Sequence, residues 1–358
     1  MTTIMITAGG TGGHVFPALA VARALRSDNI DVVWLGTREG IEARLVPAAG
    51  FAIEYLRIRS LRGGGLLRWL LLPLRLNVAM LQALAILRRR RPAAVLAMGG
   101  FAAGPGGLMA SLLNIPLIVH EQNAVAGLTN RWLARLADVA LAGFPGAFGR
   151  RTQVEVVGNP VRAEIVALPA PAVRLAGRSG RLRLLIVGGS QGAKVFNDIV
   201  PQAVQTLPES SRPQVWHQTG SRDEAAVSAR YREFDAETRV NAFIDDMAAA
   251  YAWADVVLCR AGAMTVAELA AAGVASILVP LPHAADDHQT ANARFLADRG
   301  AALLLPQGEL VPERLAGLLA GLAGDRNRIE GMAVAARAGA ISNATATVAQ
   351  HCREAAHA

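Results

Sequence analysis

The stretch DVVLCRAGAMTVAELAAAGVASILVPLPHAADDHQTAN (residues 255–292) decides the fold of this chain. Its apolar run at residues 256–259 predicts a buried parallel strand. Residues 264–272 predict a helix that ends at Gly273, a residue type common just past helix ends. Residues 275–279 predict a second buried strand. Alternation of buried strands with helices is typical of a doubly wound parallel α/β sheet.

Polar groups in this stretch lie where parallel sheets bind ligands. The turn before the helix exposes backbone N–H groups at the positive end of the helix dipole, which favours a diphosphate. Glu268 can accept hydrogen bonds from a ribose diol, and Gln289 can both donate to and accept from a sugar hydroxyl. A plain strand–turn–helix unit with a capping glutamate is the alternative. Taken together, the turn, Glu268 and Gln289 favour a ligand site, because ligands bind at the strand ends of such sheets.

Length and composition narrow the possible domain count, protein class and partners. A chain of 358 residues predicts two domains, and 53% hydrophobic with 18% charged residues predicts a globular protein. The formal charge of +8 indicates nucleic acid, anionic lipid or a phosphorylated substrate as partner. Basic and aromatic residues are not interleaved, so we expect no nucleic acid.

The cysteines and the N-terminus indicate the compartment. Cys259 and Cys352 are far apart, which excludes a disulfide framework and a CxxC metal site and favours a reducing cytoplasm. The chain enters a strand at residues 4–7 without a basic stretch before it, so we expect no signal peptide.

A glycine-rich turn follows the first predicted strand and reappears later. AGGTGGH (residues 8–14) precedes a helix, and GGSQGA (188–193) follows the strand predicted at 182–187. A dinucleotide site would place an acidic residue after the next strand, where Gly36 and Thr37 stand instead. The echo predicts two similar α/β halves with a cleft between them, joined by a linker at residues 168–180.

Five motifs, in this order, resemble those of the MurG family of peptidoglycan glycosyltransferases: GGTGGHVFPA (9–18), HEQN (120–123), GNPVR (158–162), GGSQGA (188–193) and residues 260–268. The resemblance implies the GT-B architecture, two Rossmann-like domains facing across a cleft. It also implies an acceptor and membrane domain at residues 1–160, with a C-terminal helix at 341–358 packing back on it. The UDP-GlcNAc domain would be residues 161–340.

The implied activity is transfer of GlcNAc from UDP-GlcNAc to the C4 hydroxyl of MurNAc in lipid I, giving lipid II with inversion, without metal or cofactor. Ile244 would contact uracil, Glu268 the ribose and Gln289 the sugar. The remaining implied substrate contacts are Thr11, Gly12, Gly13, Asn123, Arg162, Ser190, Ala263, Met264, Thr265, Val266 and Ala267. Ala261 departs from the family, where serine is expected.

The reaction needs a base to deprotonate the acceptor hydroxyl. His14, at the start of the first long helix, is the leading candidate, with a hydrogen bond to phosphate or backbone as its alternative role. Glu121 is the second candidate, and His120 is interpreted as structural. The adjacent acidic pairs at 245–246 and 286–287 are interpreted as solvated or capping residues.

The region 66–76, from Leu66 to Leu76, is leucine-rich and contains Trp69 and two arginines. Charged and helix-breaking residues interrupt any window long enough to span a membrane. We therefore expect a peripheral protein whose leucines enter an anionic membrane surface on the cytoplasmic side of the inner membrane. Residues 78–87 are expected to form an ordinary core helix.

Two alternatives stay open from sequence. Another GT-B enzyme, such as a UDP-GlcNAc 2-epimerase or a glycolipid synthase, would share the donor half and differ in the acceptor half. A non-catalytic protein that binds a sugar nucleotide or a lipid would lack turnover in a purified assay.

Overall fold

The chain forms two compact units, each built on its own parallel sheet. The computed structural model describes residues 2–58, 72–149, 153–189, 192–234, 237–282 and 287–357. The first unit contains Met1–Val161 and Ile341–Ala358, and the second contains Arg162–Ala340. The predicted doubly wound α/β class is confirmed.

The first unit has a seven-stranded sheet in the order β3-β2-β1-β4-β5-β6-β7, with every pairing parallel. Its strands are β1 (Thr3–Thr7), β2 (Asp31–Thr37), β3 (Ala52–Leu56), β4 (Ala94–Ala97), β5 (Leu117–Glu121), β6 (Val139–Ala142) and β7 (Glu155–Val156). Its helices are α1 (Gly12–Ser27), α2 (Glu42–Ala48), α3 (Leu72–Arg90), α4 (Ala103–Leu112), α5 (Leu128–Leu133) and the C-terminal helix Ala344–His357.

Helices on both faces bury the central strands of this sheet. Ile4, Met5 and Ile6 of β1 are fully buried, with alternate side chains in separate apolar clusters on the two faces. The C-terminal helix contributes Val348 and Cys352 to the cluster that also contains α1. It therefore belongs to the first unit although the second unit precedes it in the chain.

The second unit has a six-stranded parallel sheet in the order β10-β9-β8-β11-β12-β13. Its strands are β8 (Arg183–Val187), β9 (Gln214–Gln218), β10 (Thr238–Asn241), β11 (Val256–Cys259), β12 (Ala275–Leu278) and β13 (Ala302–Leu304). Its helices are α6 (Ala163–Val166), α7 (Pro171–Leu175), α8 (Lys194–Thr206), α9 (Glu224–Arg232), α10 (Met247–Trp253), α11 (Ala263–Ala272), α12 (His288–Ala297), α13 (Pro312–Ala323) and α14 (Arg326–Ala338), and we label the C-terminal helix α15.

The linker predicted at residues 168–180 is wrong. This segment contains α7 and is anchored to the second sheet by two arginines. Arg174 donates to the carbonyl oxygens of Ala254 at 3.0 Å and Gly273 at 2.5 Å, and Arg178 Nη1 lies 2.7 Å from the buried Asp255 carboxylate. Proline, alanine and glycine are typical of linkers, but these long-range contacts hold the segment in place.

A buried histidine makes the stability of the second unit depend on pH. His217 Nδ1 lies 3.0 Å from the Tyr231 hydroxyl, and burial lowers the pKa of His217 to about 3. The unfolded chain binds a proton near pH 6.5, whereas the folded protein does not, so stability falls as pH drops below that value. We expect the free energy of unfolding to lose about 1 kcal/mol from this residue between pH 6.5 and 5.5.

Denaturant unfolding of the wild type and of His217→Gln, each at both pH values, measures this contribution. The variant should lose less stability over the interval by about that amount, because its amide does not titrate. Equal losses in the two proteins would contradict the assignment.

Candidate active site

A cavity of about 810 Å³ lies in the first unit at the carboxyl ends of its central strands. It is placed where the strand order reverses, between β1 and β4, which is the position where open α/β sheets bind ligands. The predicted residues Thr11, His14, Glu121 and Asn123 line it. The other lining residues are Gly9, Gly10, Thr37, Glu39, Gly40, Ile58, Gly99, Gly100, Phe101, Gly127, Leu128, Thr129 and Asn130.

His14 lies in the first turn of α1, which Gly12 and Gly13 begin. Its Nδ1 lies 3.1 Å from the carbonyl oxygen of Gly9. A carbonyl only accepts, so this contact assigns the proton to Nδ1 and leaves the lone pair of the neutral ring on Nε2. A Cβ at Gly99 would lie 3.0 Å from that Nε2, so glycine leaves room for the ring. The arrangement suits a general base.

Glu121 ends β5 and is 2% exposed. Its Oε1 accepts from the backbone N–H and the side-chain amide of Asn123, at 2.9 and 3.0 Å. Its Oε2 accepts from Gly127 N at 3.1 Å and Asn130 Nδ2 at 2.9 Å. With four donors already directed at it, this carboxylate is arranged to shape the loop. The geometry therefore favours His14 over Glu121 as the base.

His120 is fully buried behind this loop. Its Nε2 donates to the carbonyl of Gly158 at 2.9 Å, and its Nδ1 lies 3.0 Å from Gln122 Nε2. Burial lowers the pKa of His120, which keeps the ring neutral. Its contacts are those of the structural role expected from the sequence.

In the second unit, α11 begins directly after β11, again where the strand order reverses. The first backbone N–H groups of any helix lack partners within it, which here are those of Ala263, Met264 and Thr265. Gly262 precedes them in an extended conformation without a side-chain cap. The anion site predicted from the sequence would lie at these N–H groups. Val266 is fully buried and its N–H donates to the carbonyl oxygen of Gly262 at 3.0 Å, so it is closed to a ligand, whereas Ala267 is half-buried.

Glu268, on α11, has a side chain that is 15% exposed. Its Oε1 lies 3.1 Å from Arg162 Nη2, and its Oε2 accepts from the Tyr251 hydroxyl at 3.1 Å. Burial raises the pKa of Glu268, against the opposing effects of Arg162 and Tyr251. The two predicted residues are thus in contact. Tyr251 was not predicted, because a tyrosine in an apolar helix resembles any core aromatic residue.

The remaining donor residues are placed as follows. Gln289 is in the first turn of α12, and its Oε1 accepts from Leu281 N at 2.9 Å, which orients its amide. Ile244 is 5% exposed and precedes α10. Ser190 lies outside the described residues. Asp246 caps α10 by accepting from Ala249 N at 2.8 Å, as its capping interpretation expected.

Ala261 occupies the position where the family pattern expects serine. It is fully buried, and its carbonyl oxygen accepts from Asn292 Nδ2 at 3.1 Å. The turn before α11 is therefore held through its backbone, a contact that does not depend on the side chain at 261.

The chain matches the glycosyltransferase family 28 N-terminal domain over residues 4–142 and the C-terminal domain over residues 183–350. Among its relatives, the UDP-N-acetylglucosamine--N-acetylmuramyl-(pentapeptide) pyrophosphoryl-undecaprenol N-acetylglucosamine transferase of Alkalilimnicola ehrlichii is 56% identical, with 98% of each chain covered. The protein of the same name from Azoarcus sp. is 55% identical over 99% of this chain and 98% of its own.

Solved structures give the same result. The crystal structure of Acinetobacter baumannii MurG superposes with a TM-score of 0.87 at 42% identity, covering 99% of this chain and 100% of that one. The calicheamicin glycosyltransferase, at 18% identity and a TM-score of 0.67, covers 99% of this chain and 98% of its own and shares the fold alone. The GT-B fold and the resemblance inferred from the motifs are confirmed. The chain belongs to the MurG family of UDP-N-acetylglucosamine–N-acetylmuramyl-(pentapeptide) pyrophosphoryl-undecaprenol N-acetylglucosamine transferases.

Proposed function

We propose that this protein transfers GlcNAc from UDP-GlcNAc to the C4 hydroxyl of MurNAc in lipid I, forming lipid II. The observation that carries the proposal is identity of 55–56% over essentially the whole chain to transferases of that name. The product would serve peptidoglycan synthesis, and through it cell wall biogenesis, cell shape and cell division. No cofactor enters the proposed reaction.

The second unit binds the donor in this proposal. The N–H groups of Ala263, Met264 and Thr265 and the dipole of α11 stabilise the charge that develops on the leaving diphosphate. Glu268 accepts from the ribose hydroxyls, and Gln289 contacts the GlcNAc. Further donor contacts come from Arg162, Ser190, the backbone of Ile244, and Ala267.

The first unit binds the acceptor and provides the base. His14 Nε2 removes the proton of the C4 hydroxyl as its oxygen attacks the anomeric carbon and UDP departs from the opposite face. Attack opposite the leaving group inverts the anomeric configuration from α to β. Thr11 and Asn123 contact substrate at the cavity, Gly12 and Gly13 contact it at the start of α1, and Glu121 holds Asn123 in place.

Incubation of the purified protein with radiolabelled UDP-GlcNAc and a lipid I analogue tests the proposal. We expect label to enter the lipid product only when both substrates are present, with release of UDP. Conversion of UDP-GlcNAc without acceptor would support an epimerase instead. Binding of UDP-GlcNAc without any turnover would support a non-catalytic protein.

We infer that the first unit also binds the cytoplasmic leaflet of the inner membrane. Leu74, Val78 and Leu81 follow each other at helical spacing on α3 and are 63%, 39% and 66% exposed. The opposite face of α3 is buried, so the core helix expected at 78–87 is core on one side only. Residues 66–71 of the predicted membrane region lie outside the described residues.

Charge on the same helix supports an anionic surface as partner. Arg88 is exposed near its end, whereas Arg89 and Arg90 form ion pairs with Glu54 at 2.8 and 2.7 Å. Across the described ranges, no helix is both long enough and apolar enough to cross a bilayer. An apolar stripe beside arginines is typical of helices that lie in the membrane interface.

Flotation with liposomes containing anionic lipid tests this surface. A variant with Leu74 and Leu81 changed to Ser should float at least about tenfold less than the wild type, since each leucine loses roughly 1.5–3 kcal/mol of apolar burial. A second variant, with Leu67, Trp69 and Leu70 changed to Ser, tests the region before α3. Val173→Ser, at an exposed apolar residue of the second unit, is the matched control. Equal flotation of all variants, or none by the wild type, would contradict the proposal.

A further inference from the structure

Glu42 is a fully buried carboxylate beside the cavity, and sequence reasoning did not single it out. It is the first residue of α2. Its Oε1 accepts from the backbone N–H of Thr37 at 2.9 Å and from the Thr37 hydroxyl at 2.7 Å. Its Oε2 accepts from the backbone N–H of Gly10 at 3.0 Å. Every one of these contacts is with a donor, which suits the acceptor-only set of an ionised carboxylate.

Glycines form the walls around this side chain. A Cβ at Gly9, Gly36 or Gly40 would overlap the Glu42 side chain, at 2.5 Å for Gly9 and 2.7 Å for Gly36. Glu42 thus occupies the space near the end of β2, where the strand itself has no acidic residue. The chain instead places its acid five residues later and directs it back at the strand end and the glycine loop.

The contact with Gly10 reaches His14 through one peptide group. The N–H of Gly10 and the C=O of Gly9 belong to the same planar unit. That C=O accepts from His14 Nδ1 at 3.1 Å, on the side opposite the N–H that donates to Glu42. Gly10 has φ of +86°, and glycines on both sides of the peptide bond leave its rotation weakly restrained by local sterics.

We propose that Glu42 is a positioning residue for His14, acting through the Gly9–Gly10 peptide group. The proposal rests on the proposed function of His14 as the base. By holding the N–H of Gly10, the carboxylate keeps the C=O of Gly9 directed at Nδ1 and polarises it as an acceptor. This keeps the ring proton on Nδ1 and the lone pair on Nε2. A rotated peptide would present an N–H to Nδ1 and favour the inactive tautomer.

Glu42→Gln tests the proposal with little change in shape. A glutamine has one acceptor oxygen, so if it keeps the two Thr37 contacts, its NH₂ faces the N–H of Gly10 and the two donors repel. We expect kcat to fall by about tenfold, the lower end of what losing a partner that orients a histidine costs in metal sites. The KM for UDP-GlcNAc should change little, because the donor groups belong to the second unit.

The tautomer of His14 gives a readout that a merely structural role would not move. In protein labelled with ¹⁵N-histidine, the NMR spectrum of the wild type should show Nδ1 protonated and Nε2 unprotonated at a pH where the imidazole is neutral. Glu42→Gln should shift the population toward the opposite tautomer. His14→Ala identifies the His14 resonances.

Matched variants separate this relay, from Glu42 to His14 through the Gly9–Gly10 peptide group, from general destabilisation of the protein. Glu54→Gln removes a carboxylate of the same unit that pairs with Arg89 and Arg90, and it should leave the tautomer unchanged. If Glu42→Gln fails to fold, Thr37→Val is the substitute. It keeps the carboxylate but removes one of its anchors, and should lower kcat by about threefold.

A double-mutant cycle with His14→Ala completes the test. In the His14→Ala background, Glu42→Gln should change kcat by less than about twofold, because the residue through which it acts is gone. Full additivity, or an unchanged tautomer in folded Glu42→Gln, would overturn the relay while leaving His14 as the base. An unchanged kcat in His14→Ala alone would instead contradict the proposed function.

Discussion

Replacing His14 with alanine should lower kcat by about 10²–10⁴-fold, the usual contribution of a general base. The affinity for UDP-GlcNAc should stay within about twofold, because a base acts on the transition state and not on ground-state binding. The reason is geometric. His14 Nδ1 is occupied by the carbonyl of Gly9, and its Nε2 is held near Gly99 in the cavity of the first unit.

Steady-state kinetics with the lipid I analogue, together with calorimetric titration of UDP-GlcNAc, measures both quantities. His351→Ala is the matched control, since this histidine of the same unit contacts Glu155 and Glu354 and does not line the cavity with His14. If binding of UDP-GlcNAc collapses in His14→Ala, the histidine is a ligand contact and not the base.

Replacing Glu268 with alanine should raise the Kd for UDP-GlcNAc by about 10- to 150-fold. Loss of a hydrogen bond to a charged group costs roughly 1.5–3 kcal/mol. The variant loses the proposed acceptor for the ribose and also leaves Arg162 and the buried Tyr251 hydroxyl without this partner. Because Glu268 is proposed to contact the ribose and not the reacting anomeric carbon, kcat at saturating donor should change less than the Kd.

Calorimetric titration measures the Kd. Thermal melting measures how much stability the variant loses because the buried Tyr251 hydroxyl no longer has Glu268 as its acceptor. Gln289→Ala is the companion substitution and should also weaken binding. Glu309→Ala is the matched control, because it removes an exposed carboxylate of the same unit that pairs only loosely with Arg314, at 3.5 Å. An unchanged Kd in both Glu268→Ala and Gln289→Ala would reject this donor site.

The strands and helices around the glycine turns could be predicted from sequence because their signals are local. Four-residue apolar runs such as Val256–Cys259 indicate buried strands, and Gly273 marks the end of α11 with φ of +62°. The motif order also led to His14 and Glu268 as the proposed base and ribose acceptor, because the resemblance implies those roles at particular places in the motifs.

The linker prediction failed for the opposite reason. Residues 168–180 have the composition of a linker, yet Arg174 and Arg178 hold them against carbonyl groups and Asp255, 74 to 99 residues away along the chain. The hydrogen-bond partners of Glu121 were equally hidden from the sequence. Two of its four donors belong to Asn123, and the other two belong to Gly127 and to Asn130 of α5, so the spacing in HEQN alone does not show that its oxygens are already occupied.

The sequence by itself determined the α/β class, the two glycine turns and the family whose motifs the chain shares. Only the tertiary structure decided which partners those residues have. Glu42 meets Gly10 across 32 residues, and Arg162 meets Glu268 across 106. Periodicity reports which face of a strand or helix is buried, which is a property of neighbouring residues. Hydrogen-bond partners depend on where the packed elements bring distant backbone and side-chain groups together. No local sequence pattern shows which of these distant groups meet.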